Sequence, residues 1–190
     1  MKATIIFTIL LLINGCKKEN YFKEVISNKK VSLSLARSFN KEQLVLNIPL
    51  EFNLFLNKKK IKDVRIRFRI DKKRLIPAEE YMVMNGKTNK IIYAIEDLEY
   101  PNYPKSILLY NRINFISNEE AVALINKYNP NATLQSLKTE NDTIYLEVYS
   151  KFRTSEFYFL SEMRKVPDTI SLSIGFSGGK QKVFKERINW

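Results

Sequence analysis

A chain of 190 residues with no histidine and one cysteine, Cys16, has few routes to catalysis. Without an imidazole there is no Ser-His-Asp or Cys-His arrangement, no base poised near neutral pH and no His-ligated zinc. A lone cysteine also forms no disulfide within the chain. Three Ser-x-x-Lys spacings occur, Ser27/Lys30, Ser38/Lys41 and Ser177/Lys180. An acylating serine needs companion motifs that are missing here, and a lysine-rich chain produces this spacing by chance. Gly175 to Lys180 falls one residue short of a phosphate loop and lacks the Ser or Thr after the lysine, so it reads as a hairpin turn. Carboxylates remain, at Glu79-Glu80, Glu96-Asp97-Glu99 and Glu140/Asp142. Two of them about 5–9 Å apart would suffice for glycoside hydrolysis, a separation that sequence does not display. No catalytic residue, metal ligand or cofactor is assigned, and the protein is expected not to be an enzyme.

Binding chemistry has better candidates. Arg65, Arg67 and Arg69 alternate with Val64, Ile66, Phe68 and Ile70. On a strand that puts three guanidinium groups in a row about 6.5–7 Å apart, suited to a line of carboxylates or phosphates. The plainer alternative is a solvated outer face whose charge discourages edge-to-edge aggregation. Tyr100 and Tyr103, in Tyr100-Pro101-Asn102-Tyr103-Pro104, offer amphipathic contact area on a loop stiffened by proline, unless the rings fold back over the domain. The net charge of +12 points to an anionic partner, an envelope protein or acidic glycan. Codon bias toward Lys, Asn and Ile explains the charge equally well.

The first residues specify a compartment. Lys2, an apolar run from Ile5 to Ile13 broken by Thr8, and small or polar residues before Cys16 have the order of a secretory signal peptide. The run is well short of the roughly 20 apolar residues that span a bilayer. Ile13-Asn14-Gly15-Cys16 resembles the lipobox of bacterial lipoproteins. The resemblance implies cleavage before Cys16 and acylation of its thiol, giving a membrane anchor whose chains each contribute about 0.8 kcal/mol per buried CH₂. Lys17 stands where an aspartate would favour inner-membrane retention. The resemblance therefore implies the outer membrane, facing the periplasm, with the cell surface as the alternative; nucleic acid is not an expected partner there. Asp142-Thr143-Ile144 and Asp168-Thr169-Ile170 resemble the acceptor triplets of periplasmic O-glycosylation, which would place sugars on Thr143 and Thr169. A turn aspartate followed by a strand start explains both triplets as well.

The elements that position these residues are mostly strands. Val31 to Leu35, Leu44 to Leu56, Val64 to Ile70, Ile144 to Val148 and Ile170 to Phe176 all alternate with period two. Leu46, Ile48, Phe52, Ile66, Phe68, Ile144, Leu146, Leu172 and Ile174 are the expected core. The runs ending at Leu56 and beginning at Val64 flank a lysine-rich tip and read as a hairpin, with Pro49 at an edge or bulge. Asn85-Gly86 marks a second hairpin. Residues 99–112 read as a loop with a short strand at most, and residues 152–166 fit strand or helix. Ser117 and Glu120 form a capping box that opens a helix near 117–128, stopped by Asn129-Pro130. The fold expected is mainly β, an antiparallel β-sandwich or open barrel, immunoglobulin-like by analogy, with that one helix. The expected division is a signal peptide at 1–15, a lipidated tether at 16–30 and a β-rich domain at 31–190. The alternative is two small β domains, about 31–115 and 116–190. The leading function is an anchored envelope lipoprotein with a binding or assembly role. Its rivals are a periplasmic inhibitor or immunity protein and, third, a carboxylate-based glycan hydrolase.

Overall fold

The computed structural model describes residues 20–38, 41–95, 98–111, 113–163 and 165–190. Cys16, the whole signal segment, and Glu96 and Asp97 lie outside them. The described chain is mainly β, and the pairings between its strands are antiparallel. The first sheet has the order β1 (Phe22–Val25), β4 (Pro49–Leu54), β8 (Ser106–Asn111), β7 (Tyr81–Asn85). The second runs β11 (Gln181–Arg187), β10 (Thr169–Phe176), β5 (Ile61–Ile70), β6 (Lys73–Arg74). A third, smaller sheet runs β3 (Lys41–Asn47), β2 (Lys30–Ser38), β9 (Thr143–Val148). Among the described residues are three short α-helices, α1 (Asn118–Tyr128), α2 (Tyr149–Ser155) and α3 (Phe157–Met163).

The run from Leu44 to Leu54 shows how alternation builds two cores. Its even-numbered side chains share one face, but Leu46 and Ile48 enter one cluster while Leu50, Phe52 and Leu54 enter another. The change falls at Ile48-Pro49, where β3 of the third sheet passes into β4 of the first. Proline has no N–H for the ladder, so a change of sheet is a place it is tolerated. The larger core is the interior of a sandwich, with Phe52, Ile107 and Leu109 of the first sheet against Val64, Phe68 and Leu172 of the second. In the smaller, Leu33, Leu46 and Ile144 of the third sheet pack on Leu124, Ile125, Phe152 and Leu160 of the helices. All nine expected core residues are buried.

The capping box is present as the spacing predicts: Ser117 Oγ accepts from the Glu120 N–H and the Glu120 carboxylate accepts from the Ser117 N–H. The β10–β11 hairpin forms through Gly178 and Gly179, both at positive φ. The Asn85-Gly86 turn forms too, with Asn85 Oδ1 accepting from the N–H groups of Lys87 and Thr88. Its second arm contributes only a bridge, Met84 to Ile91.

Other expectations are corrected. β4 and β5 do not pair as a hairpin; β4 lies between β1 and β8 and β5 between β10 and β6, so the lysine tip crosses the sandwich. Lys58 and Lys60 reach back over the rings of Tyr21 and Phe176, at 4.3 Å and 5.7 Å from the ring centroids. The segment expected as a tether already contains β1, held by the buried Tyr21 and Phe22. Four residues are too few to show a period. β8, within a segment read mainly as loop, is an interior strand whose Ile107, Leu108 and Leu109 are all buried, so SILLYN shows no alternation in sequence. The stretch that fits either strand or helix is helical in α2 and α3, which break at Glu156, so Phe152 and Leu160 reach the core with helical spacing.

Candidate anion-binding face

Inward Val64, Ile66, Phe68 and Ile70 anchor β5 in the sandwich, which turns Arg65, Arg67 and Arg69 to solvent. The register then assembles a face that no single segment carries. Arg65, Arg67 and Arg69 stand opposite Ser173, Ser171 and Thr169 of β10. These in turn stand opposite Val183, Lys185 and Arg187 of β11. On the other flank Arg69 pairs with Arg74 of β6. Paired residues share a face and neighbouring strands lie about 4.8 Å apart, so cations bracket the hydroxyls of Ser171 and Thr169, while Ser173 lies between Arg65 and Val183. Like charges placed directly opposite each other, as at Arg69 and Arg74, are destabilising unless an anion or solvent screens them.

The acidic group at the end of this row is Asp63, with Oδ2 3.4 Å from Arg65 Nε, and the Arg65 side chain remains 59% exposed. Ser173 is buried and its Oγ accepts from Gln181 Nε2 at 2.8 Å. Ser171 and Thr169 are half-buried between the basic strands. Thr143, by contrast, lies exposed at the start of β9, on the third sheet.

The tyrosine loop divides. Tyr100 is 45% exposed, but Tyr103 is 3% exposed and belongs to the sandwich core. As a contact residue Tyr103 is therefore corrected: its apolar ring fills the sandwich interior, and its backbone carbonyl accepts from Asn57 Nδ2 at 3.2 Å. Burial pushes its phenol pKa up, with the charges of Asp63 and Glu99 adding to the rise.

Two of the carboxylates singled out by sequence, Glu80 and Asp142, are engaged in turns. Glu80 accepts from Lys73 Nζ and from the Ile76 N–H, which hold its carboxyl below the usual range. Asp142 accepts from the N–H groups of Lys138 and Thr139 and from the Thr139 hydroxyl, with the same effect. Among the described residues no three His, Cys, Asp or Glu gather closely enough to hold a metal ion. No helix among them is long and apolar enough to cross a membrane.

Beside the basic face, where β7 and β5 leave the two sheets open along one side, lies a cleft of about 370 Å³. Arg65, Arg67 and Arg74 line it together with Tyr81, Val83 and Ile92. A second groove of about 450 Å³ runs between the first and third sheets, and Met82 and Ile91 border both. Sequence reasoning found the arginine row but missed Arg74, Lys185 and Arg187, which join it only through strand register. No family model, curated protein or solved structure matches this chain.

Proposed function

We propose that this protein is a membrane-anchored envelope lipoprotein with a non-enzymatic binding role, and that the outer face of its second sheet docks an anionic glycan. The observation that carries the reading is the register that sets Arg65, Arg67, Arg69 and Arg74 on one exposed face with Lys185 and Arg187. Arginine suits this role because its planar fork takes carboxylate or phosphate oxygens two at a time. Serine and threonine hydroxyls between the cations add neutral donors for sugar oxygens. The anchor and the outer-membrane location rest on the order of residues in the lipobox-like segment ending at Cys16.

A carboxylated or phosphorylated polysaccharide titrated over a salt series tests the reading. Replacing Arg65, Arg67 and Arg69 together by Gln is expected to weaken binding on the order of tenfold and to flatten its dependence on salt. The charge-matched change of Lys127, Lys138 and Lys151 to Gln, on the helical side, should leave both unchanged. Equal losses from the two sets would refute a specific face.

A further inference from the structure

We infer that the cleft between β7 and β5 is a second ligand site, which takes a single acyl chain ending in a carboxylate or phosphate. Its inner wall is apolar: Tyr81 is buried with its ring 5.7 Å from that of Phe68, and Val83, Ile92 and Ile95 join the sandwich core around it. Its rim is cationic, with Arg65 and Arg67 on one strand and Arg74 on the next. None of the described lining residues is acidic. A site of this composition discriminates at both ends. The wall rewards burial of methylene groups at about 0.8 kcal/mol each, and the guanidinium groups reward a terminal anion.

Size narrows the occupant further. Small-molecule sites span about 300–1,000 Å³, and a cleft of about 370 Å³ lies at the lower end, matching one chain rather than a multi-chain lipid. The cleft is also built where the sandwich is open. β5 is paired with β10 from Ile61 to Arg69, but on its other side only Arg69 and Ile70 have strand partners, in the two-residue β6. The Tyr81 hydroxyl donates to the Ile66 carbonyl at 3.5 Å, across the floor of the cleft from β7 to β5. Exposed Tyr93 and Ile91 stand at the mouth, where an entering chain would meet them first.

This site goes beyond the glycan reading, although Arg65 and Arg67 serve both: a polysaccharide has no use for the apolar wall. Calorimetric titration of the full chain with dodecyl phosphate and laurate, below their micelle concentrations, is the test. Dodecyl maltoside serves as a neutral-headed chain and inorganic phosphate as a chainless head. The expected result is saturable one-to-one binding of both charged amphiphiles, at least tenfold weaker binding of dodecyl maltoside, and none of phosphate. Met82→Trp, at a half-buried border position, should fill the cleft and abolish amphiphile binding while polysaccharide binding persists; Ile91→Trp, at an exposed position, repeats the block with less risk to folding. Arg74→Gln should weaken the charged amphiphiles and not the neutral one. Equal affinity for charged and neutral heads, no binding of either amphiphile, or full binding by a folded Ile91→Trp protein would each overturn the acyl site. None of these results bears on whether the arginine row binds glycan, which the triple Gln variant decides separately.

Discussion

Asp168, which precedes the candidate acceptor Thr169, serves the fold. It is buried, and its Oδ1 accepts from the Asp71 N–H while Oδ2 accepts from the Trp190 indole N–H, each at 2.9 Å. Its carbonyl accepts from the Ile188 N–H at 3.0 Å. One residue thereby ties the β5–β6 turn, the start of β10 and the chain end. Glu24 works at the same junction, its Oε2 accepting from the Asn189 N–H at 3.0 Å. Burial raises its pKa above the ordinary 4.5, and the Asn189 hydrogen bonds and the Arg153 charge oppose the rise without cancelling it. A raised carboxyl binds its proton more tightly in the folded than in the unfolded state. The stabilisation it gives is complete below pH 4.5 and is lost as pH climbs through the raised value. Glu80 and Asp142 are shifted the other way, so their contributions disappear only on acidification below 4.5 and 3.8. Glu24→Gln keeps an oxygen for Asn189 and removes the titration. Urea midpoints measured from about pH 4 to about pH 7 should decline for the native protein over the upper part of that range and decline less for the variant, which should be the more stable at pH 7. Parallel profiles would show that Glu24 is not strained by burial.

At the scale of elements, alternation was the readable signal and pairing was not. Leu46, Phe52, Ile66 and Leu172 declare their inward face through their polar neighbours, and Ser117 with Glu120 declares the start of α1. Nothing local says that β5 lies beside β10, since Arg67 and Ser171 meet only through tertiary packing. For that reason the row of three arginines was legible and the wider face was not. Tyr103 was a candidate contact for a related reason: an aromatic between prolines looks the same whether it faces water or, as here, folds back into a core. The cleft had no local signal at all, because Arg74, Tyr81 and Ile92 come from separate segments. The 85–90 turn is held close to β8 in a way that sequence also hides. A Cβ on Gly86 would lie 2.1 Å from Ser106 Oγ and 3.1 Å from its Cβ. The Gly86 N–H donates to the Ser106 carbonyl at 2.9 Å, which fixes that approach. Gly86→Ala should destabilise the protein by about 1–3 kcal/mol through overpacking, and adding Ser106→Gly should recover part of the loss. Urea denaturation checks both; an unchanged midpoint for the single variant would mean that the turn stands off from β8.

Over the whole molecule, two cores are built from interleaved stretches of chain rather than from two halves. β1, β4 to β8, β10 and β11 serve the sandwich, and β2, β3, β9 and the three helices serve the helical layer. Trp190 packs against both clusters, and its carbonyl accepts from the Arg153 guanidinium at 3.1 Å. This construction gives the second sheet a firm backing while leaving Arg65, Arg67, Arg69, Lys185 and Arg187 of its outer face exposed, as the proposed docking surface requires. Net charge alone would spread weak attraction for anions over every lysine-bearing surface. The central claim is narrower, that binding is confined to one face. The most direct measurement is a map of backbone amide and arginine side-chain NMR shifts in the full chain as an anionic polysaccharide is added. Perturbations should concentrate on residues 65–74, 169–173 and 185–187. Shifts spread evenly over the lysines of α1, α2 and the 85–90 turn, with β5 no more affected than the rest, would contradict it.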